Sequence, residues 1–183
     1  MQKFFRCSIF AVAFISIAIS LPAQKKDDTE FQKGFILLLK LNTGAVTDFG
    51  SSPDLWIGGI SLNPQITIAE HLLRFGANAS LDYTNKKFSG LFGPMAAIKI
   101  KNFDLSSIAG LANLQLIAEA NWGTNKQQMA GGGIALELLQ KAQVIFTLQR
   151  DYNLNNWWLQ AHIGVKLNKK KFPKDEFNQP GNQ

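Results

Sequence analysis

Cysteine is nearly absent from this chain of 183 residues, and histidine is scarce: Cys7 stands alone, and His71 and His162 are the two histidines. A single cysteine cannot build a disulfide framework. Cys7 also falls inside the N-terminal leader described below, which leaves the remainder without a thiol nucleophile. Two histidines are too few for a convincing metal site, and no cofactor is expected. Beyond the leader no apolar run reaches the length that crosses a bilayer as a helix. Strand-like and helix-like segments do not alternate as they would in a βαβ protein, and nothing marks a second domain. Aromatic residues do not interleave with the basic ones and no nucleic-acid motif occurs, so nucleic acid is not an expected partner.

Charge is modest. Nineteen Lys and Arg against 13 Asp and Glu give a formal +6, and Lys166, Lys169, Lys170, Lys171 and Lys174 crowd the C-terminal end. Such a run reads as a solvated tail, placed at residues 168–183 with Pro173, Pro180 and Gly181. The other end reads as an export signal over residues 1–23. Lys3 and Arg6 form its positive region, Ser8 to Ser20 its apolar region, and Leu21-Pro22-Ala23 offers a cleavage point before Gln24. Residues 24–33 are a polar lead-in.

What the chain has in quantity is alternation. From Ala112 to Gly123 the apolar set is Ala112, Leu114, Leu116, Ala118, Ala120 and Trp122, and the set between is Asn113, Gln115, Ile117, Glu119 and Asn121. A period of two over such a length is a β-strand with one apolar and one polar face. It is near the ~9–11 tilted residues that cross a bilayer in a barrel. The same pattern recurs over 55–62, 73–83, 90–101, 128–138, 142–151 and 157–167, and more weakly over 34–42. Thr43 to Asp54 reads as a long loop, Asn63-Pro64 as a turn, and the region near Glu70 as a turn or bulge. Pro94 argues for an edge, a bulge or a nearby strand start, and residues 102–111 for a longer connection. The expected fold is all-β: an eight-stranded antiparallel up-and-down β-barrel over residues 34–167, with transmembrane strands.

Two features favour lipid outside the barrel. The polar face is rich in Gly, Ala, Ser, Asn and Gln, with single charges of both signs at Arg74, Asp82, Lys99, Glu119, Glu137, His162 and Lys166. That mixture suits a crowded interior in which charges must pair. Glu119 and Glu137 are expected to pair with Lys99 or Arg74. With strands alternating up and down, Trp56, Tyr83, Phe92, Trp122, Tyr152 and Trp157 fall at one rim, and only Phe35 and Phe103 mark the other. A membrane interface selects Trp and Tyr in this way.

The signal peptide, the eight amphipathic strands, and segments such as ISLNPQITIAEHLLRFGANASLDY and NWWLQAHIGVKLN resemble the small outer-membrane β-barrel proteins of Gram-negative bacteria, those of the Bacteroidota most in style. The resemblance implies residence in the outer membrane and contact with its lipids. Members of that group usually finish the last strand at the chain terminus, whereas here Leu167 is followed by the basic tail.

A barrel of eight strands is filled by side chains, so an open nutrient pore is not expected. The leading functional expectation is a non-enzymatic barrel acting structurally or through its loops, with 43–54 as the outer loop for a protein partner. A lipid-modifying hydrolase is the alternative, because His162 and Ser80 both face inward. A secreted barrel binding an apolar ligand inside, as lipocalins do, is the third reading. Gly131-Gly132-Gly133 lacks the Lys-Ser/Thr of a phosphate loop and is expected to serve as a bend or a place of close packing.

Overall fold

The computed structural model describes residues 34–50, 54–70, 72–105, 110–138 and 141–167. The leader, the lead-in and the basic tail lie outside the described residues. Eight strands form the barrel: β1 (Phe35–Thr47), β2 (Leu55–Ala69), β3 (Leu73–Thr84), β4 (Lys87–Leu105), β5 (Gly110–Gly123), β6 (Gln128–Leu138), β7 (Ala142–Asp151) and β8 (Asn156–Lys166). Each pairs with the next, and β1 closes on β8 from Leu38↔Lys166 to Thr47↔Trp157. All pairs are antiparallel, so the architecture is a closed up-and-down barrel.

The clean alternation of the second half folds in the register it dictates. In β6, Met129, Ala135 and Glu137 are buried while Ile134 is exposed. In β7, Gln143, Ile145, Thr147, Gln149 and Asp151 turn inward. Ala112 alone departs from the outward set of β5: it is buried, a small side chain between its register partners Phe103 and Leu138. An added Cβ on Gly133 would run into the Phe146 carbonyl, and one on Gly131 into the Leu148 carbonyl. The glycine run thus lets β7 approach β6 closely.

The first half is corrected in four places. β1 does not stop at Asn42 but continues to Thr47, because Thr43 to Val46 are paired on both sides, by β2 and by β8. The expected loop 43–54 therefore shrinks to the residues between Thr47 and Leu55. Asn63-Pro64 is not a turn. β2 runs straight through it, and the β2–β3 pairing skips these two residues between Leu62↔Ala79 and Gln65↔Gly76. Proline cannot donate to the ladder there. The Asn63 side chain fills the gap, its Nδ2 donating to the Ala77 carbonyl at 2.6 Å. Pro94 likewise lies inside β4, paired with Ala77 on one side, while the β4–β5 pairing skips Gly93 and Pro94 on the other. Finally, β4 begins at Lys87 rather than Gly90 and reaches Leu105, so the connection to β5 is shorter than 102–111. Near Glu70 there is a turn, preceded by a register shift between Thr67 and Ala69.

The barrel has two distinct ends. The β1–β2, β3–β4, β5–β6 and β7–β8 connections share one, here the aromatic rim. The start of β1 and the end of β8 share the other, the terminal rim.

Candidate functional site

The interior is stacked in layers along the barrel axis. At the terminal rim Glu137 is the centre of an ion cluster. Its Oε2 accepts from Arg74 Nη1 at 2.7 Å and from Gln115 Nε2 at 2.9 Å, and its Oε1 accepts from Lys166 Nζ. Gln115 also receives Gln143 Nε2 on its own Oε1 at 3.1 Å. Arg74, Lys166 and Glu137 come from β3, β8 and β6, so this one carboxylate ties the barrel across its lumen. Buried charge survives in a low-dielectric interior only when paired and hydrogen-bonded, and Glu137 satisfies both conditions.

An apolar layer follows, made of Leu38, Met95, Ala97, Ile117, Ala135 and Ile145. Its position is fixed by the strand order of inward residues. Ile117 stands between Gln115 and Glu119, Ala135 between Gly133 and Glu137, and Ile145 between Gln143 and Thr147.

Above it lies a second polar layer of looser geometry. Lys40 Nζ faces Glu119 Oε1 at 3.7 Å, an ion pair beyond direct hydrogen-bond reach. Gln149 Nε2 donates to Glu119 Oε2 at 2.8 Å, and Gln149 Oε1 accepts from Asn121 Nδ2 at 3.1 Å. Beside this, Asp82 accepts from Ser80 Oγ at 2.6 Å and from Asn42 Nδ2 at 3.0 Å. Asn42 Oδ1 accepts from Ser61 Oγ at 3.1 Å and lies 2.8 Å from His162 Nδ1. Since that oxygen can only accept, Nδ1 carries a proton, and Nε2 is left to meet the Thr147 hydroxyl at 2.9 Å. A final apolar layer of Val46, Ile57, Leu91, Met129 and Trp158 closes the lumen beneath the aromatic rim.

Each inward charge singled out from the sequence is thereby placed. Arg74, Glu137 and Lys166 meet in one cluster; Asp82, Glu119 and His162 belong to the upper layer; Lys99 is buried on β4. Glu137 pairs with Arg74, but the partner of Glu119 is Lys40, not Lys99 or Arg74. Lys40 was hidden by its neighbours: it shares its face with Ile36 and Leu38, both buried, so β1 reads as apolar on both sides. The large cast of buried amides, among them Asn42, Asn63, Gln115, Asn121 and Gln149, was visible only as parity. Ser80 does not meet His162. The side chains against the imidazole are Thr147 and Asn42, and all three are buried.

The outer face is the inverse. Leu39, Leu41, Ile60, Leu62, Phe75, Leu81, Phe92, Leu116, Ile134, Phe146, Leu148, Leu159, Ile163 and Val165 are all exposed, and every strand contributes. Leu116, Ile134 and Val165 point away from the lumen on three different strands. An apolar ligand cavity of the lipocalin kind is therefore corrected: most apolar side chains look outward, and amides, charges and the two packed apolar layers fill the inside.

At the aromatic rim Trp56, Trp122 and Tyr152 are well exposed, Tyr83 is exposed with its ring tilted against Phe88 at 5.0 Å, and Trp157 is half-buried. Trp157 lies between Phe49, 6.3 Å away, and Arg150, whose guanidinium sits 5.2 Å over its ring.

No protein-family model matches the chain, and no curated protein does. Among solved structures, one from "De novo design of transmembrane beta-barrels" is similar at a TM-score of 0.48 and 13% identity, covering 76% of this chain and 100% of that one. The solution NMR structure of de novo designed TMB2.3 is similar at 0.49 and 13%, covering 75% of this chain and 98% of that one.

Proposed function

We propose that this protein spans the outer membrane of a Gram-negative bacterium, delivered there by the export signal read at residues 1–23, and that it works as a structural or interaction barrel rather than a conduit or an enzyme. The observation that carries this reading is the outer surface. Leu41 is 62% exposed, Ile134 48% and Ile163 63%, on three separate strands of a closed sheet, while Lys40 and Glu137 inside are each 1% exposed. A water-soluble barrel would reverse that order. Contiguous apolar surface round a whole barrel is stable against acyl chains and aggregates in water. The strand lengths, from 10 residues in β7 to 19 in β4, suffice for tilted crossing of the hydrocarbon.

The two apolar layers argue against a pore: water or ions moving along the axis would have to cross both. The aromatic rim, opposite the chain ends, is the surface offered to lipid headgroups and to any protein partner. The β1–β2 loop is too short to be the sole contact surface, since strand pairing extends to Thr47 on one side and resumes at Leu55 on the other.

The test is reconstitution of the full chain into phosphatidylcholine vesicles. Insertion should give a heat-modifiable species on a gel, and Ile134→Arg, at mid-strand on the outer face, should cost about 2–4 kcal/mol of stability there. Full solubility without detergent, or an Ile134→Arg variant as stable as the parent, would overturn the proposal.

The hydrolase reading keeps one observation in its favour. The Thr147–His162–Asn42 chain has the nucleophile–base–orienter order of hydrolytic triads. We assign it instead to holding β7, β8 and β1 together, since all three groups are buried between the apolar layers. Lipid hydrolysis by the reconstituted protein that disappears in His162→Ala would reverse that assignment.

A further inference from the structure

We infer that the aromatic rim, on its β3 to β8 side, binds the headgroups of anionic phospholipids. The inference rests on the membrane reading above. It begins from where the charges of that rim stand. The three connections β3–β4, β5–β6 and β7–β8, with the strand residues that flank them, carry Lys86, Lys87, Lys126 and Arg150. The three lysines are exposed and Arg150 is half-buried. The one carboxylate on the same stretch, Asp151, is fully buried and consumed by the turn, its Oδ1 accepting the backbone N–H of Asn153 at 2.9 Å and of Leu154 at 3.1 Å. The exposed carboxylates of the rim, Asp48 and Asp54, lie on the β1–β2 connection instead. The β3–β8 arc thus presents four cations and no exposed acid.

The arc is also built rather than loose. Asn125 Nδ2 donates to the Phe88 carbonyl at 3.1 Å and to Ser89 Oγ at 2.7 Å, and Thr124 N–H donates to the Gly90 carbonyl at 2.9 Å. These bonds join the β3–β4 and β5–β6 connections. Asn153 Nδ2 donates to the Lys126 carbonyl at 2.7 Å, and Tyr152 N–H to the Gln128 carbonyl at 2.8 Å, joining β5–β6 to β7–β8. Lys86 and Lys126 are held in the left-handed region, at φ of 60° and 64°. Arg150 is fixed over Trp157 and donates to Asn155 Oδ1 at 2.6 Å. Arg150, already held, loses little conformational entropy when it meets an anion, and the ordered backbone fixes where the lysine stems begin.

Their level matters as much as their sign. Trp56, Tyr83, Trp122, Tyr152 and Trp157 occupy the same rim, and exposed indole and phenol rings settle at headgroup depth. Three exposed lysines and the held Arg150 at that depth face the lipid phosphates. The terminal rim offers a natural comparison: Lys101 and Lys141 are exposed there without Trp or Tyr beside them.

All four tryptophans, Trp56, Trp122, Trp157 and Trp158, lie at the aromatic end, so tryptophan quenching reads lipid contact at this rim and not at the other. The full chain is reconstituted with bromine-labelled phosphatidylglycerol or bromine-labelled phosphatidylcholine, and the relative binding constant is taken from the quenching. We expect a preference for phosphatidylglycerol of at least about fivefold, the factor one cation near an anionic surface supplies. The preference should collapse toward one in 0.5 M salt (a screening length of about 4 Å, half that at 0.15 M) and in the variant combining Lys86→Gln, Lys87→Gln, Lys126→Gln and Arg150→Gln. It should survive Lys101→Gln with Lys141→Gln. If the fourfold variant does not insert, Lys86→Gln with Lys87→Gln at the exposed turn should still weaken the preference. A native ratio near one, a ratio untouched by the rim substitutions, or an equal loss from the Lys101 and Lys141 substitutions overturns the inference. Inorganic phosphate that abolishes the preference better than chloride of equal ionic strength would identify free phosphate as the ligand and also overturn it. Absence of quenching by both lipids has a different meaning: the membrane reading fails, and this inference with it.

Discussion

The two polar layers of the lumen are made of the same residue types and differ in how tightly they are bound. At the terminal rim a single carboxylate, Glu137, collects two cations and an amide, with direct hydrogen bonds to all three. In the upper layer the charges are spread. Lys40 approaches Glu119 only to 3.7 Å and also acts electrostatically on Asp82 and His162, and most of the cohesion comes from neutral groups handing hydrogen bonds along a chain. The lesson is that a filled barrel can neutralise its interior in two ways. Concentrated pairing gives a strong clamp that fails at one point. Distributed pairing gives a web in which no single member is indispensable.

The sharpest way to break the comparison is to remove Glu137. Glu137→Ala strands Arg74 and Lys166 without their shared carboxylate, and stability in vesicles, measured by denaturant unfolding, should fall by about 3–5 kcal/mol. Next comes the partition between the layers. Ile145→Ala opens a cavity in the apolar layer that separates them, for a loss of about 2–5 kcal/mol by the same assay. Glu119→Gln should cost less than Glu137→Ala, about 1–2 kcal/mol, because the Gln149 hydrogen bond can persist and Lys40 retains Asp82 nearby. A cost equal to that of Glu137→Ala would erase the distinction drawn here. The combined change Lys40→Met with Glu119→Leu should cost less than the sum of the two single changes, since replacing both members of a buried pair removes its desolvation penalty, although Gln149 loses its acceptor and Asp82 its nearby cation. Asn63→Ala should cost about 1 kcal/mol, from the loss of its bond to the Ala77 carbonyl.

How much of this was legible beforehand depends on the inner residues of each strand. β6 and β7 could be bounded to the residue, since polar or small residues alternate with large apolar ones on both. β1 could not, because Ile36 and Leu38 belong to the lumen yet look like lipid-facing residues, and this concealed Lys40. β2 was cut in two by Pro64. Proline reads as a stop in sequence, but here a neighbouring asparagine side chain serves the carbonyl that proline cannot. The aromatic ends of the strands could be placed by parity and direction alone. Which acid met which base could not: pairing across a lumen depends on shear and side-chain reach, and Glu119 reaches β1 instead of the neighbouring strands.

The β1–β8 seam sets a condition on how the molecule is made. Asn42 and His162, hydrogen-bonded across it, are separated by 120 positions of chain. β1 is therefore paired on one side only until β8 arrives, and Asn42 lacks its contact with His162 until then. Throughout that wait the nascent sheet has two open borders and a greasy exterior, the combination most prone to clumping. Closure of the ring by β1 and β8 removes both borders in one step.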